Sequence, residues 1–204
     1  VDYLGAATLT FTLAEGYSKT ANFAVSLNGN SDADWVNSQL PLSGISNDVN
    51  ITVSGVADIT APTAEIKVED NKWTSFLNKI TFGLFFKETQ SVSITANDKG
   101  SGVDKIQYYV SGEPLKQDEL SGIAEWKDYN EVFALNPNNR YVVYVRVTDK
   151  AGNILYISSD GLVFDSVAPA FYDIENGGVY YGDKGLRVFD EQHYPISFTV
   201  DGVN

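Results

Sequence analysis

Apolar and polar residues alternate with period two in short runs along this chain. Clear runs lie at 9–13, 23–27, 49–53, 64–68 and 92–96. Such alternation is typical of strands with one buried and one exposed face. Clusters of Gly, Asn, Asp and Ser, which favour turns, separate the runs. Two longer strand-like runs, 105–110 and 141–147, indicate more buried strands, and helical periodicity is limited to 72–77 and 116–120. The sequence therefore predicts an all-β fold of the sandwich class.

A five-residue segment occurs twice and suggests how the chain is divided. Asp58-Ile-Thr-Ala-Pro62 returns as Asp165-Ser-Val-Ala-Pro169, 107 residues later. Proline fixes φ and lacks a backbone donor, so each copy is suited to a short semi-rigid joint. About 100 residues is the usual size of an immunoglobulin-like module. We therefore expect an incomplete module at 1–60, a complete one at 61–167 and the start of a further one at 168–204.

Two turn motifs fall inside the expected central module. Asn97-Asp-Lys-Gly-Ser-Gly-Val103 and Thr148-Asp-Lys-Ala-Gly-Asn153 each follow a predicted strand. Asp and Asn accept hydrogen bonds from the backbone in turns, and Gly tolerates positive φ. The two motifs are therefore predicted to be the turns of hairpins or of crossovers between sheets.

The combination of these motifs resembles the bacterial Ig-like repeats of Gram-positive cell-surface proteins and multimodular extracellular enzymes. The similar residues are 58–63, 98–108 and 147–153, and 171–182 looks like the start of a related module. The likeness covers about 61–182, while only the strand pattern supports it over 1–57. It implies tandem immunoglobulin-like β-sandwich modules at the cell surface or cell wall, or secreted, that act as spacers, stalks or adhesive modules. It implies no catalytic residue and no cofactor.

Composition and charge narrow the classes of partner. The net charge is −13 and the pI about 4.3, with the 14 Lys and Arg scattered, so binding to nucleic acid is not expected. The absence of cysteine excludes disulfides and thiolate metal sites. No apolar run is long enough to insert into a membrane. Both ends lie in or beside strand-like sequence, so we expect the chain to be part of a longer protein and its partners to include neighbouring modules.

Catalysis is not expected of this chain. The only histidine is His193, which no companion motif accompanies. Neither a nucleophile-elbow motif nor a phosphate-binding loop is present. We therefore predict a non-enzymatic protein without a cofactor.

Two groups of oxygen-bearing residues could suit a metal ion, but no metal site is predicted. Residues 28–34 carry oxygen-bearing side chains at alternate positions, but Trp35 and Pro41 stand where a calcium-binding EF-hand loop needs Gly and Glu. Asp98, Asp104 and Asp149 could meet near one end of a module. Turn and capping roles are the favoured interpretation of all these residues. A Lys–Asn isopeptide crosslink remains open.

Glycan binding is the alternative to a purely mechanical function. A sugar-binding sandwich uses exposed aromatic rings flanked by amides and carboxylates. Of the candidate aromatics, Trp126 and Tyr129 lie in the polar run 125–130 and are the least core-like. The sequence therefore predicts a spacer that presents other domains away from the cell wall. The alternative is a module that binds a glycan or a host surface protein through Trp126 and Tyr129.

Overall fold

The computed structural model describes residues 5–31, 39–45, 47–173, 175, 178–179, 181–182 and 187–190. Its regular elements are strands with one short helix, which confirms the all-β prediction. In chain order they are β1 (Gly5–Thr10), β2 (Tyr17–Leu27), β3 (Asn30–Ser31), β4 (Gln39–Ile45), β5 (Ile51–Asp58), β6 (Thr63–Val68), β7 (Asn71–Trp73), β8 (Leu84–Phe86), β9 (Gln90–Asn97), β10 (Val103–Ser111), α1 (Gln117–Leu120), β11 (Lys127–Asp128), β12 (Phe133–Leu135), β13 (Asn139–Asp149), β14 (Ile154–Ser158), β15 (Leu162–Phe164), β16 (Ala170–Tyr172) and β17 (Arg187–Phe189).

The chain forms two compact units. Unit one comprises residues up to 63 together with 96–105 and 147–155, and unit two comprises 64–95, 106–146 and the residues from 156 onward. Unit one thus includes both turn motifs that the sequence placed in the central module. The expected module boundaries at 60/61 and 167/168 stay predictions.

Unit one is built on two small antiparallel sheets. β1 pairs with β4, and β2 lies between β3 and β5. The β2–β5 register is irregular between Lys19 and Ala24. Gly55, at φ +69°, lies opposite this irregularity, where a side chain would overlap the backbone of Asn22. Beyond this irregularity the two strands pair again, and Tyr17 lies opposite Asp58. Asp58 therefore lies at the end of the sheet, beside the start of β2.

Most residues of two larger sheets, in a sandwich-like arrangement, belong to unit two. One has the order β12-β9-β6-β7, and the other has the order β11-β10-β13-β15-β8 with β14 also paired to β13. β15 pairs in parallel with β8, and β16 and β17 form a separate antiparallel pair. The strand runs predicted from the sequence supply much of the core. Buried members of these runs are Ile66, Val68, Val92, Ile94, Val143 and Val145, and Leu135, Leu162 and Phe164 outside them are buried as well.

The central strand β13 is buried on both faces. Because side chains alternate along a strand, Val142 and Tyr144 lie on the face opposite Val143 and Val145. Val142 and Tyr144 form a cluster with Leu120 of α1, called here the outer cluster. Two loop segments cover it, and their contributing residues are Phe76, Ile80, Phe82, Leu115, Ile123 and Trp126. The run 141–147 is therefore a largely buried strand in which Tyr141 and Arg146 are half-buried, as its mostly apolar character predicts.

The two helix predictions had different outcomes. The prediction for 116–120 is confirmed by α1, whose Leu120 is fully buried. The prediction for 72–77 is wrong, since β7 occupies Asn71–Trp73 and no helix follows it. Trp73 pairs there with Ile66 of β6, so cross-strand pairing overrides a weak local helical pattern.

Candidate functional site

Asp58 is a buried carboxylate at the end of β5, and it is the centre of a hydrogen-bond network. Its exposed fraction is 6%. Oδ1 accepts hydrogen bonds from the Thr60 backbone N–H at 3.0 Å and from the Thr60 hydroxyl at 2.6 Å. Oδ2 accepts one from the Ser101 N–H at 2.7 Å. The hydrogen bonds from Thr60 and then Ser101 favour the ionised form and lower the pKa of Asp58 to about 2.

The side chain of Asp98 stabilises the first turn motif by hydrogen bonds to the backbone of that turn. Its Oδ2 accepts hydrogen bonds from the N–H groups of Gly100 at 3.1 Å and Gly102 at 2.7 Å. Gly102 has φ +86°, where a side chain would be strained, and a side chain at Gly100 would overlap the carboxylate of Asp58. The two glycines of this motif therefore meet different requirements, one conformational and one steric.

Asp149 closes the second turn motif. Its exposed fraction is 2%, and its two oxygens accept hydrogen bonds from the Asn153 N–H and from Asn153 Nδ2, both at 2.8 Å. Burial is the largest influence on its pKa and acts to raise it. The hydrogen bonds from Asn153 and the N–H groups of Gly152 and Ala151 together outweigh burial, so the pKa is lowered.

Hydrogen bonds connect the segment that contains Asp58 to the turns closed by Asp98 and Asp149. Asn153 Nδ2 also donates to the carbonyl of Asp58 at 3.2 Å. The Lys150 N–H donates to the carbonyl of Gly102 at 2.9 Å, and the Ala151 N–H donates to the Ser101 hydroxyl at 3.1 Å. Segment 58–60 and the turns at 98–102 and 149–153, all in unit one, thus form a single network, called here the three-aspartate network. The turn and capping roles predicted for Asp98 and Asp149 are confirmed.

The three carboxylates of this network lie close together. Asp58, Asp98 and Asp149 offer oxygen atoms within 4.8 Å of one another, whereas Asp104 is not a member of the group. Grouped oxygens suit a hard cation such as Ca²⁺, which takes about six to eight of them. Each carboxylate nevertheless accepts at least two hydrogen bonds from the chain's own donors. Within the described residues, no buried side chain without a partner points into the group. The geometry is accounted for by hydrogen bonding alone.

Trp126 is more core-like than its polar sequence neighbours indicate. It is half-buried and packs against the outer cluster, while Glu125 and Lys127 on either side of it are exposed. The Arg146 guanidinium lies 4.7 Å from the centre of the indole ring. Tyr109 and Tyr156 lie at ring-centroid distances of 6.3 and 6.0 Å. The indole ring of Trp126 therefore has packing partners within unit two, although its neighbours in the sequence are polar.

Tyr129 also has a packing role. Its hydroxyl accepts a hydrogen bond from the backbone N–H of Ile94 at 3.0 Å, and its ring meets the ring of Tyr108 edge to face at 6.4 Å. The hydroxyl and the ring are thus both engaged within unit two. Ligand binding by Trp126 and Tyr129 stays a prediction, and these contacts favour packing for both.

Other residues singled out from the sequence are only partly placed. Asn28 lies in the turn between β2 and β3 at φ +51°, and its side-chain oxygen accepts a hydrogen bond from the Asn50 N–H at 2.8 Å. Residues 28 and 29 thus form a hairpin turn, as the favoured interpretation expects, while residues 32–34 of that segment lie outside the described residues. Trp35 and His193 lie outside the described residues. All lysines within the described ranges are exposed, so none is enclosed with an Asn as an isopeptide bond would require.

Sequence reasoning missed Asp58 as a member of the site, although the repeat at 58–62 contained it. The available signal was the spacing Asp-x-Thr, in which an aspartate can accept a hydrogen bond from the N–H two residues later.

Comparisons with protein-family models, with curated proteins and with solved structures find no match. No helix within the described ranges has the length and apolar character needed to cross a membrane.

Proposed function

We propose that this chain is a non-catalytic extracellular spacer of a bacterial surface or secreted multimodular protein, built from immunoglobulin-like modules. Its task is to hold other domains away from the cell wall. The observation that carries the proposal is the fixation of segment 58–62, which a flexible linker would lack. Asp58 is bound through its carboxylate and its carbonyl to turns that lie 43 and 95 residues further along the chain. Pro62 is buried.

Stiff connections are what a spacer requires. A flexible linker lets its modules fold back on one another, whereas a hydrogen-bonded and proline-stiffened segment fixes the direction in which the chain leaves a module. The second copy of the repeat supports the same interpretation. Asp165 Oδ1 accepts a hydrogen bond from the Val167 N–H at 2.9 Å, which repeats the bond between Asp58 and Thr60 two residues apart.

Small-angle X-ray scattering tests this proposal. The wild-type chain should have a maximum dimension well above that of a compact globule of 22.3 kDa. Asp58→Ala should remove the fixation and broaden the distance distribution. Asp104→Ala is the matched control, since Asp104 is an exposed aspartate outside the network. A compact wild-type profile, or equal profiles for Asp58→Ala and wild type, would refute the proposal.

A further inference from the structure

Unit one contains a cleft beside the three-aspartate network. Its volume is about 380 Å³, and it is lined by residues of three segments, 15–17, 60–63 and 97–100. This size lies within the range typical of sites for small ligands. Stiffening of segment 58–62 does not require such a cleft.

The walls of the cleft are fixed by hydrogen bonds. The carbonyl of Gly16 accepts bonds from the Ile59 N–H at 2.8 Å and from the Thr60 hydroxyl at 3.4 Å. The Thr63 hydroxyl donates to the carbonyl of Asn97 at 3.0 Å. Asp98 holds the turn that forms the third wall. Since fixed walls lower the entropy cost of binding, the cleft is preorganised for a ligand.

Four side chains that line the cleft have polar groups without a partner among the described residues. They are the carboxylate of Glu15, the hydroxyl of Tyr17, the amide of Asn97 and the ammonium group of Lys99. The threonines and Asp98 in the same walls are engaged in internal bonds. The cleft therefore combines fixed walls with a free acceptor, a free donor and two groups that can do both.

Charge and shape restrict the class of ligand. Glu15 and Asp98 outnumber Lys99 in the walls, and Asp58 and Asp149 lie close to Asp98. An anionic ligand would be repelled, since the whole chain carries a net charge of −13. Lys99 opposes a purely cationic ligand. Mixed donors and acceptors beside a tyrosine ring and the methyl group of Ala61 suit the hydroxyls and the apolar face of a sugar.

We propose that this cleft binds a short neutral segment of a glycan, with Glu15, Tyr17, Asn97 and Lys99 as the hydrogen-bonding residues. The inference goes beyond the spacer function and does not depend on it. It places glycan binding in unit one, whereas Trp126 and Tyr129 belong to unit two.

The test is an NMR titration of the ¹⁵N-labelled chain with cellobiose, N,N′-diacetylchitobiose and lactose. Sialyllactose is added as a matched acidic probe, because it is lactose that carries one carboxylated sugar. At least one neutral disaccharide should shift the amide signals of residues 15–17 and 97–100. Glu15→Gln/Asn97→Ala should weaken that binding by about tenfold or more. Asn130→Ala/Glu131→Gln, an exposed pair of the same residue types in unit two, should leave it unchanged.

Three results would overturn the inference. One is the absence of shifts with all three neutral probes at about 20 mM, a concentration at which even a ligand with a Kd of about 1 mM nearly saturates its site. Another is a loss of disaccharide binding in Trp126→Ala combined with unchanged binding in Glu15→Gln/Asn97→Ala. The third is tighter binding of sialyllactose than of lactose. Scattering profiles address the spacer proposal separately, so the two proposals can fail independently.

Discussion

Asn153 donates a hydrogen bond from its side-chain amide to the carbonyl of Asp58, 95 residues earlier in the chain, at 3.2 Å. The same nitrogen donates to Asp149 at 2.8 Å. One amide group therefore joins the last residue of β5 to the last residue of β13. This explains why the end of β5 and the second turn motif belong to the same compact unit.

Replacing this amide should destabilise the chain. Asn153→Ala removes the donor to Asp58 and one of the two hydrogen bonds between Asn153 and the buried Asp149. We expect a loss of roughly 1–3 kcal/mol in the free energy of unfolding, the usual result of leaving a buried polar group without a partner. Urea denaturation followed by circular dichroism measures it. Asn130→Ala, at an exposed position, should change the free energy by less than about 0.5 kcal/mol. Equal values for both variants would contradict the network.

Gly100 should tolerate no side chain. A methyl group there would overlap the Asp58 carboxylate, so Gly100→Ala must displace either the turn or the aspartate. We expect the thermal midpoint to fall by an amount equivalent to about 1–3 kcal/mol, as for other overpacked sites. Gly112→Ala is the control, since the nearest atom to a methyl group there is the Arg140 carbonyl at an ordinary 3.7 Å. A Gly100→Ala protein as stable as the Gly112→Ala protein would show that the close approach is absent in solution.

The strands were predictable from the sequence, and so were the turns, because both depend on neighbouring residues. Alternation identified much of the core of unit two, and Asp and Gly identified the turns at 98–102 and 149–153. The joining of these turns to Asp58 was not predictable. It depends on contacts over 43 and 95 residues, which a single sequence does not encode in any local pattern.

The packing of Trp126 was hard to predict for a different reason. Its exposed neighbours Glu125 and Lys127 made the whole run look polar, although alternate residues of an extended segment face opposite ways. The covering of the outer face of β13 by two loops was equally hidden, since their apolar residues are scattered rather than periodic. The cleft in unit one was missed because its three wall segments are distant in sequence.

Tyr129 provides a test of packing against ligand binding. Tyr129→Phe keeps the ring but removes the acceptor for the N–H of the buried Ile94. The free energy of unfolding should fall by roughly 1–3 kcal/mol, because that N–H loses its partner. Tyr108→Phe is a close control, since Tyr108 is half-buried beside Tyr129 and stacks on Phe133 at 4.2 Å. Unchanged stability of Tyr129→Phe, together with a loss of glycan binding, would restore Tyr129 as a ligand-binding residue.

The decrease in folding stability at acid pH should depend in part on Asp58. Its pKa in the folded chain is about 2, below the ordinary value of 3.8, so folding favours the ionised form. The resulting stabilisation is fully present above about pH 4 and is lost as the pH falls towards 2. The pKa of Asp149 is lowered too, so it contributes in the same direction.

Thermal midpoints measured between pH 5 and pH 2 for three proteins separate this contribution from the titration of the other acids. Asp58→Asn removes the titrating group, so its midpoint should fall less steeply below pH 4 than that of the wild type. Asp104→Asn, which alters an exposed aspartate outside the network, should follow the wild-type slope. The 27 acidic residues make a background that is nearly common to all three proteins, so the difference between slopes is the informative quantity. Parallel curves for Asp58→Asn and the wild type would mean that the Asp58 carboxylate is not held in its ionised form by Thr60 and Ser101.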